Sequence, residues 1–435
     1  MQALRTEIRA RIDLIHKINL IRNSNLNLRM QALLGLFAFC LVISTFHSVS
    51  AQTSNSAPRV FLLDADYMRA ARQRIRDGDK NLAPSQAELE RDAKSALHAG
   101  PYSVVEKTNL PPSGDKHDYM SIGPYFWPDP ASSNGLPYVR HDGKRNPANR
   151  TSDRRALGSM IGTVETLALA WYFTGEEIYA KKATELLRTW FLDPATRMNP
   201  NFQFAQAVPG VNTGRGTGLI EMAGMTSLID AVGLLAGSKS WTDADQHGVE
   251  QWFTQFVHWM QESKNGRDEA AAKNNHGTYY DLELSVFALF IGKNEIATNI
   301  LHAVPTKRIA RQIEPDGRQP LELARTNAWG YSVGNLRGLI SLAQLGDRLG
   351  VNLWHYETSD GRTIRKALDC LVAFATGDRE WLQGRSGEPS LQSLATHLRL
   401  AATKYPDAKY QELLLKLPPA PSDRSNLLRP RLAGK

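Results

Sequence analysis

Only two cysteines occur in the chain, Cys40 and Cys370. Cys40 lies in the apolar run 32–45, which reads as part of a removable leader, so the exported chain keeps one thiol and forms no intrachain disulfide. Its stability has to come from a packed core. That excludes a disulfide-stapled extracellular module and agrees with a bacterial periplasm. No Lys/Arg-rich run interleaved with aromatics appears, so nucleic acid is not an expected partner. The eleven histidines show no HxxxH or HExxH spacing, and no metal or other cofactor is expected. Gly-x-Ser-x-Gly and the P-loop are missing too. Continuous β signal is scarce, with residues 59–63 the best short candidate.

What is present has the composition of a globular protein, 42% hydrophobic and 22% charged, which excludes wholesale disorder. The formal net charge is +8. Half of it sits in residues 1–29, where six basic residues face two acidic ones. The remaining mild excess suits a polyanionic partner without demanding one. Residues 30–51 read as a secretory signal. The apolar run is too short to span a bilayer comfortably, and Val49-Ser50-Ala51 places small residues before a cleavage point at Gln52. Met30-Gln31-Ala32-Leu33 repeats the first four residues, which makes Met30 the expected start. The expected product is periplasmic or secreted, with no stable membrane association. Residues 1–51 are thus assigned to the leader, 52–420 to one domain and 421–435 to a charged, poorly ordered tail.

Along the domain, residues 63–76 and 83–99 have apolar side chains at helical spacing. Residues 101–150 carry eight prolines and few such pairs. A non-helical stretch of that length inside a compact protein is usually functional. Its Tyr119, Tyr125 and Trp127 either stack on sugar faces or plug one end of a helical core. From residue 151 the pattern is regular. Apolar helices over 152–174, 217–235, 279–290 and 331–349 alternate with one-sided helices over 177–191, 243–262, 295–313 and 363–374, and helices over 391–404 and 408–415 close the series. A helix apolar all round is buried on every side, and a one-sided helix covers it. Repeated hairpins of this kind predict an all-α fold, an α/α toroid of about five to seven hairpins. The loops that enter the inner helices then converge on one mouth. An elongated solenoid is the alternative.

The polar entrances to the inner helices carry the candidate chemistry. At the first, Ser152 or Asp153 is suited to cap a helix. The second, residues 199–216, offers Gln206 and Arg215 for hydroxyls and a carboxylate. The third is Lys273-Asn274-Asn275-His276-Gly277-Thr278-Tyr279-Tyr280-Asp281 and the fourth Arg325-Thr326-Asn327-Ala328-Trp329-Gly330-Tyr331. One reaction that Asn, His, Arg and Tyr can perform together is β-elimination on a uronate. The C5 proton lies α to a carboxylate, and its removal builds a dianionic enolate. Amide, imidazole and guanidinium groups around the carboxylate neutralise that charge. A tyrosine, with an ordinary pKa of about 10 lowered by nearby cations, takes the C5 proton and returns it to the leaving O4.

Residues 116–346 resemble the alginate lyase superfamily, namely polysaccharide lyase family 5 and, closer in spacing, family 38. The resemblance is carried by Asp118-Tyr119-Met120-Ser121-Ile122-Gly123-Pro124-Tyr125-Phe126-Trp127-Pro128, by residues 199–216, by Asn274-Asn275-His276, and by Glu322-Leu323-Ala324-Arg325 with Tyr331. It implies an α/α toroid and uronate β-elimination. It further implies that Asn275 and His276 neutralise the carboxylate, Arg325 assists, and Tyr331 is base and then acid. Asn327 stands where family 5 has another arginine. Tyr119, Tyr125, Trp127, Gln206, Arg215 and Asn327 are the expected substrate contacts.

A single tyrosine serves C5–H and O4 only if both lie on one face of the ring. That holds for β-D-mannuronate and β-D-glucuronate and fails for α-L-guluronate. The expected substrate is therefore an anionic polysaccharide, mannuronate-rich alginate or else glucuronan. Two rivals stay open. One is a toroidal hydrolase using carboxylates such as Asp281, Glu283 or Glu221. The other is a non-catalytic polysaccharide-binding protein.

Overall fold

A computed structural model describes residues 57–149, 152–382 and 384–429. The expected leader, residues 1–51, lies outside them. The helices are α1 (Ala65–Arg76), α2 (Ala83–Ala96), α3 (Ser152–Thr174), α4 (Glu177–Leu187), α5 (Met225–Leu234), α6 (Asp243–Glu262), α7 (Lys264–Ala270), α8 (Asn275–Phe290), α9 (Asn294–Val304), α10 (Pro320–Leu323), α11 (Ala328–Leu349), α12 (Ile364–Thr376), α13 (Leu391–Lys404), α14 (Lys409–Leu415) and α15 (Ser425–Leu428). Four short strands accompany them: β1 (Met120–Ile122), β2 (Phe126–Trp127), β3 (Val139–Arg140) and β4 (Phe204–Ala207).

The architecture is an α/α toroid. Inner helices α3, α5, α8 and α11 pack each on the next, while α4 covers α3, α6 covers α8, and α12 covers α11. Sequence dictates which helix goes where. Fourteen of the sixteen residues of α8 are buried, as an inner helix requires. In α6 the buried apolar side chains are Val249, Trp252, Phe253, Phe256, Val257 and Met260, one stripe at three- and four-residue spacing. That stripe meets α8 through aromatic pairs, Phe253 with Phe287 at 5.0 Å and Phe256 with Phe287 at 5.9 Å between ring centroids. A capping box between Thr242 and Asp245 starts α6, satisfying backbone donors that the helix itself cannot. Helix α11 is capped by the Asn327 side chain and ends at Gly350, whose φ of 73° is the left-handed turn that favours glycine.

Three expectations fail here. Residues 59–63 form no strand. The backbone N–H groups of Phe61, Leu62 and Leu63 donate to the Asp230 carboxylate at 2.5, 3.0 and 2.8 Å, so the segment is tied to α5 instead of to a sheet. The apolar stretch over 217–235 is not one helix. It is a 3-10 segment, Gly216–Met222, followed by α5. The tail is not wholly loose: Asn426 and Leu427 are fully buried, and Asn426 Nδ2 donates to Ser85 Oγ at 3.2 Å. Residues 430–435 lie outside the described residues.

Strand pairing places the loops. β1 runs parallel to β4 with Met120 opposite Phe204 and Ile122 opposite Ala207, an irregular register that leaves one extra residue on β4. β2 pairs antiparallel with β3. The proline-rich stretch, without an α-helix among residues 101–149, is thereby laid over the entrances of the inner helices.

Candidate active site

Helix α11 begins at Ala328, three residues earlier than the periodicity predicts, which puts Tyr331 in its first turn. The Tyr331 hydroxyl accepts from Arg325 Nη2 at 2.8 Å and lies 2.7 Å from the Tyr125 hydroxyl. The Arg325 guanidinium stacks over the Tyr331 ring, 3.8 Å from its centroid. Asp142, just past β3, holds Arg325 from behind: Nη2 donates to Oδ1 at 2.7 Å and Nε to Oδ2 at 3.2 Å. The Thr326 N–H donates to the same carboxylate at 3.0 Å. The Arg325 guanidinium holds the Asp142 carboxyl well below the usual carboxylate range. Burial and the Tyr125 hydrogen bond push the Tyr331 phenol well above 10, and Arg325 offsets only part of this. Arg325 lowers this tyrosine's pKa as expected, but burial and Tyr125 outweigh it. Asp142, paired with Arg325, acts in the same sense as burial and favours the phenol.

Helix α8 begins at Asn275, earlier than the expected start at 279. Asn275 and His276 therefore stand in its first turn, and Asn274 caps it by accepting the His276 N–H at 3.3 Å. Asn275 is almost fully buried. Its backbone N–H and its Nδ2 donate to the two carboxylate oxygens of Glu322, at 2.7 and 2.5 Å. His276 Nδ1 is 2.6 Å from Glu269 Oε1. With Nδ1–H donated to that buried carboxylate, the ring is fixed and Nε2 is the nitrogen left for other work. Arg308 ties the two supporting elements together. It donates to Asp281 of α8 and to the carbonyls of Ala270 and Ala272 at the end of α7. Gly277 is required by this crossing, because a Cβ there would strike the Ala272 carbonyl and the Arg308 guanidinium.

Glu322 joins the two corners. It lies three residues before Arg325, is bound by Asn275, and feels the charge of Arg325. Burial raises its pKa, and the Asn275 hydrogen bonds hold it back. The segment at β4 carries two further expected contacts. Gln206 has φ of 49°, a left-handed conformation that costs a non-glycine residue about 1–3 kcal/mol and clusters at functional sites. Its N–H donates to Ser121 Oγ at 2.8 Å. Arg215 donates to both the carbonyl and the side-chain oxygen of Gln206, each at 2.9 Å, and lies over the Phe126 ring at 4.9 Å. Burial lowers the Arg215 pKa, with Arg140 acting in the same sense and Glu269 against it.

Not every expected contact reaches this cleft. Tyr119 is 0% exposed, stacked on Phe202 at 4.2 Å, with its hydroxyl donated to Glu221 at 2.6 Å. It is a core residue and no sugar touches it. Asn327 is exposed, but its side-chain oxygen accepts the Gly330 N–H at 3.2 Å, which makes it the cap of α11. Trp127 is half-buried, its Nε1 donating to the Lys144 carbonyl at 3.0 Å. Asp153 receives the Met120 N–H at 2.9 Å and pairs with buried Lys107 at 3.0 Å, which fixes β1 to the start of α3.

Residues 103–381 match the family described as alginate lyase, well over half of the chain. This chain belongs to the alginate lyase family. It is 39% identical to an alginate lyase from Bacteroides ovatus of known crystal structure, over 85% of this chain and 99% of that one, with a TM-score of 0.81. Alginate lyase A1-III from Sphingomonas species A1 shares the fold at 18% identity and a TM-score of 0.53, over 88% of this chain and 99% of that one. A comparison with curated proteins finds no match.

As a member of the alginate lyase family the protein is a polysaccharide lyase, and its carboxylates agree. Asp281 is consumed by Arg308 and Lys307. Glu221 receives Tyr119 and Ser121. Glu283 is buried without a hydrogen-bond partner among the described residues. None forms a pair flanking the cleft, as a hydrolase needs. Three site residues escaped the sequence reading as members of the site. Asp142 and Arg325 are separated by 183 residues. Glu269 sits on its own short helix. Glu322 offered a weak signal, standing three residues before Arg325.

Proposed function

We propose that the protein cleaves mannuronate-rich alginate by β-elimination, with glucuronan the nearest competing polymer. The observation that carries this is the Tyr331 hydroxyl, fixed between Arg325 and Tyr125 beside the paired corners Asn275–Glu322 and His276–Glu269. A bound uronate places its carboxylate against the Asn275 amide and the His276 ring, with Arg325 adding positive charge. Those groups draw electron density from C5 and stabilise the enolate as it forms. The Tyr331 oxygen, once deprotonated, takes the C5 proton. The C4–O4 bond then breaks, a C4–C5 double bond forms, and the same proton passes from Tyr331 to O4. In support, A1-III has been crystallised as histidine-to-alanine and tyrosine-to-phenylalanine variants complexed with a tetrasaccharide. Tyr125, Trp127, Gln206 and Arg215 are the proposed substrate contacts. The protein is proposed to act in the periplasm or outside the cell, after loss of residues 1–51.

A second reading is favoured by one observation, the Glu269 carboxylate behind His276. That is the arrangement of an oriented general base. Here His276 Nε2 takes the C5 proton while Tyr331, held protonated, gives its own to O4. Two residues on opposite faces suit guluronate. Polymannuronate, polyguluronate and glucuronan assayed by ultraviolet absorbance separate the readings. Unsaturated product from polymannuronate alone supports Tyr331 in both roles, and product from polyguluronate alone supports His276 as base. No unsaturated product from any of the three sinks the lyase assignment of this site.

A further inference from the structure

A cavity of about 430 Å³ opens farther along the inner helices than Tyr331 and His276. Tyr279 and Leu282 of α8 line it, as do Arg337 and Ile340 of α11. These residues lie about one to two and a half turns beyond His276 and Tyr331 along the same two helices. None of the candidate active-site residues reaches it. Its volume falls within the usual range of small-molecule sites, about 300–1,000 Å³.

The charged groups facing this space are Glu165, Asp230, Arg337, His397 and Arg429. The two acids are occupied. Asp230 accepts three backbone N–H groups, and Glu165 is hydrogen-bonded to Ser227. The cations are less well served. Arg429 Nη1 is buried with no hydrogen-bond partner among the described residues. Arg337 is exposed, lines the cavity and forms no ion pair among the described residues. Burial, then Arg399 and Arg337, push the Arg429 guanidinium down in pKa, and Asp230 opposes them. Burial and Arg337 take His397 down to about 4, so its ring brings no charge at neutral pH. A buried donor of this kind without an acceptor is unfavourable, the more so when charged. Leu169, Leu234 and Leu400 make the remaining wall largely apolar.

We propose that this cavity is a second ligand site, taking a small organic carboxylate: its anionic group on Arg337 and Arg429, its body against the apolar wall. A uronate monosaccharide and an aromatic acid share that chemistry. The assignment does not depend on which residue moves the proton at Tyr331.

Calorimetric titration of the full chain with sodium D-glucuronate and, separately, sodium benzoate tests it, with methyl glucoside as the uncharged control. Binding by either carboxylate and none by the control is expected, and which of the two binds identifies the source. Arg429→Gln and Arg337→Gln should each weaken that binding about tenfold or more, the loss of a hydrogen bond to a charged group, with polymer cleavage unchanged. Arg337 is exposed, so its variant carries the test even if Arg429→Gln lowers the folded fraction. The proposal is overturned by absence of carboxylate binding at about 10 mM, a concentration weaker than useful affinities. Equal binding of the control overturns it as well. So does binding that both glutamine variants leave intact, or that Asn275→Ala alone abolishes.

Discussion

At Tyr331 two hydrogen bonds act on the same oxygen in opposite senses. Arg325 favours the phenolate, while Tyr125 and burial favour the phenol. The phenol wins, so the base form is scarce at neutral pH and grows as pH rises toward the phenol's own pKa. Under the single-tyrosine reading kcat/KM therefore climbs through the mildly alkaline range. Tyr125→Phe removes one contact that raises the pKa, so its rising limb should move to lower pH in a pH–rate profile. A limb that stays in place speaks against Tyr331 as the base. Asp142→Asn has a mixed effect. It frees Arg325 to lower the Tyr331 pKa but loosens the guanidinium, and misplacement of a catalytic group by about 1 Å costs roughly 10²-fold. The expected outcome is a lower kcat with the limb displaced downward. Glu269→Gln keeps a hydrogen-bond acceptor for His276 and removes the charge. A kcat loss with little change in KM marks Glu269 as a positioning residue. The residues that bind each other here were partly legible. Tyr331, Arg325, Asn275 and His276 stand in two short polar clusters. Asp142 does not, because nothing local links a turn after β3 to a helix start so far along the chain.

Helices were legible where burial is periodic, and their starts were not. The pattern over 279–290 misses the first turn of α8 because Asn275, His276 and Gly277 are chosen for Glu322, Glu269 and Arg308 and not for apolar spacing. The same holds for α11, where Asn327 is spent on the cap. Asn274→Ala removes the cap of α8, a loss of about 1 kcal/mol. It should lower Tm modestly and, by loosening the first turn, reduce kcat further than the stability change explains. Phe253→Ala strikes the contact between α6 and α8 instead. An aromatic-to-alanine change in a packed core costs about 3–5 kcal/mol, so its denaturation midpoint should fall steeply while the activity of the folded fraction is kept. Tyr119 shows the limit of aromatic reading. In the sequence it sits among Tyr125, Phe126 and Trp127 as one more platform. The parallel pairing of β1 with β4, invisible in the sequence, turns it inward onto Phe202.

On the scale of the whole molecule, the alternation of fully and one-sidedly apolar helices announced the toroid. The mouth of the ring depends on contacts between loops separated by tens to hundreds of residues, and these leave no local pattern. Cationic groups gather there around one tyrosine, so the apparent affinity for a polyanion should weaken as ionic strength rises and screening shortens to about 8 Å near 0.15 M. Comparing KM at low and moderate salt reads this directly. The central claim is that Tyr331 moves the proton while its neighbours bind the uronate carboxylate. Its most direct test is Tyr331→Phe, measured for mannuronate tetrasaccharide binding and for appearance of unsaturated product. The account predicts a Kd near that of the unaltered protein and a kcat lower by about 10²–10⁴-fold, the usual weight of a general acid–base group. Turnover that survives the substitution would contradict it.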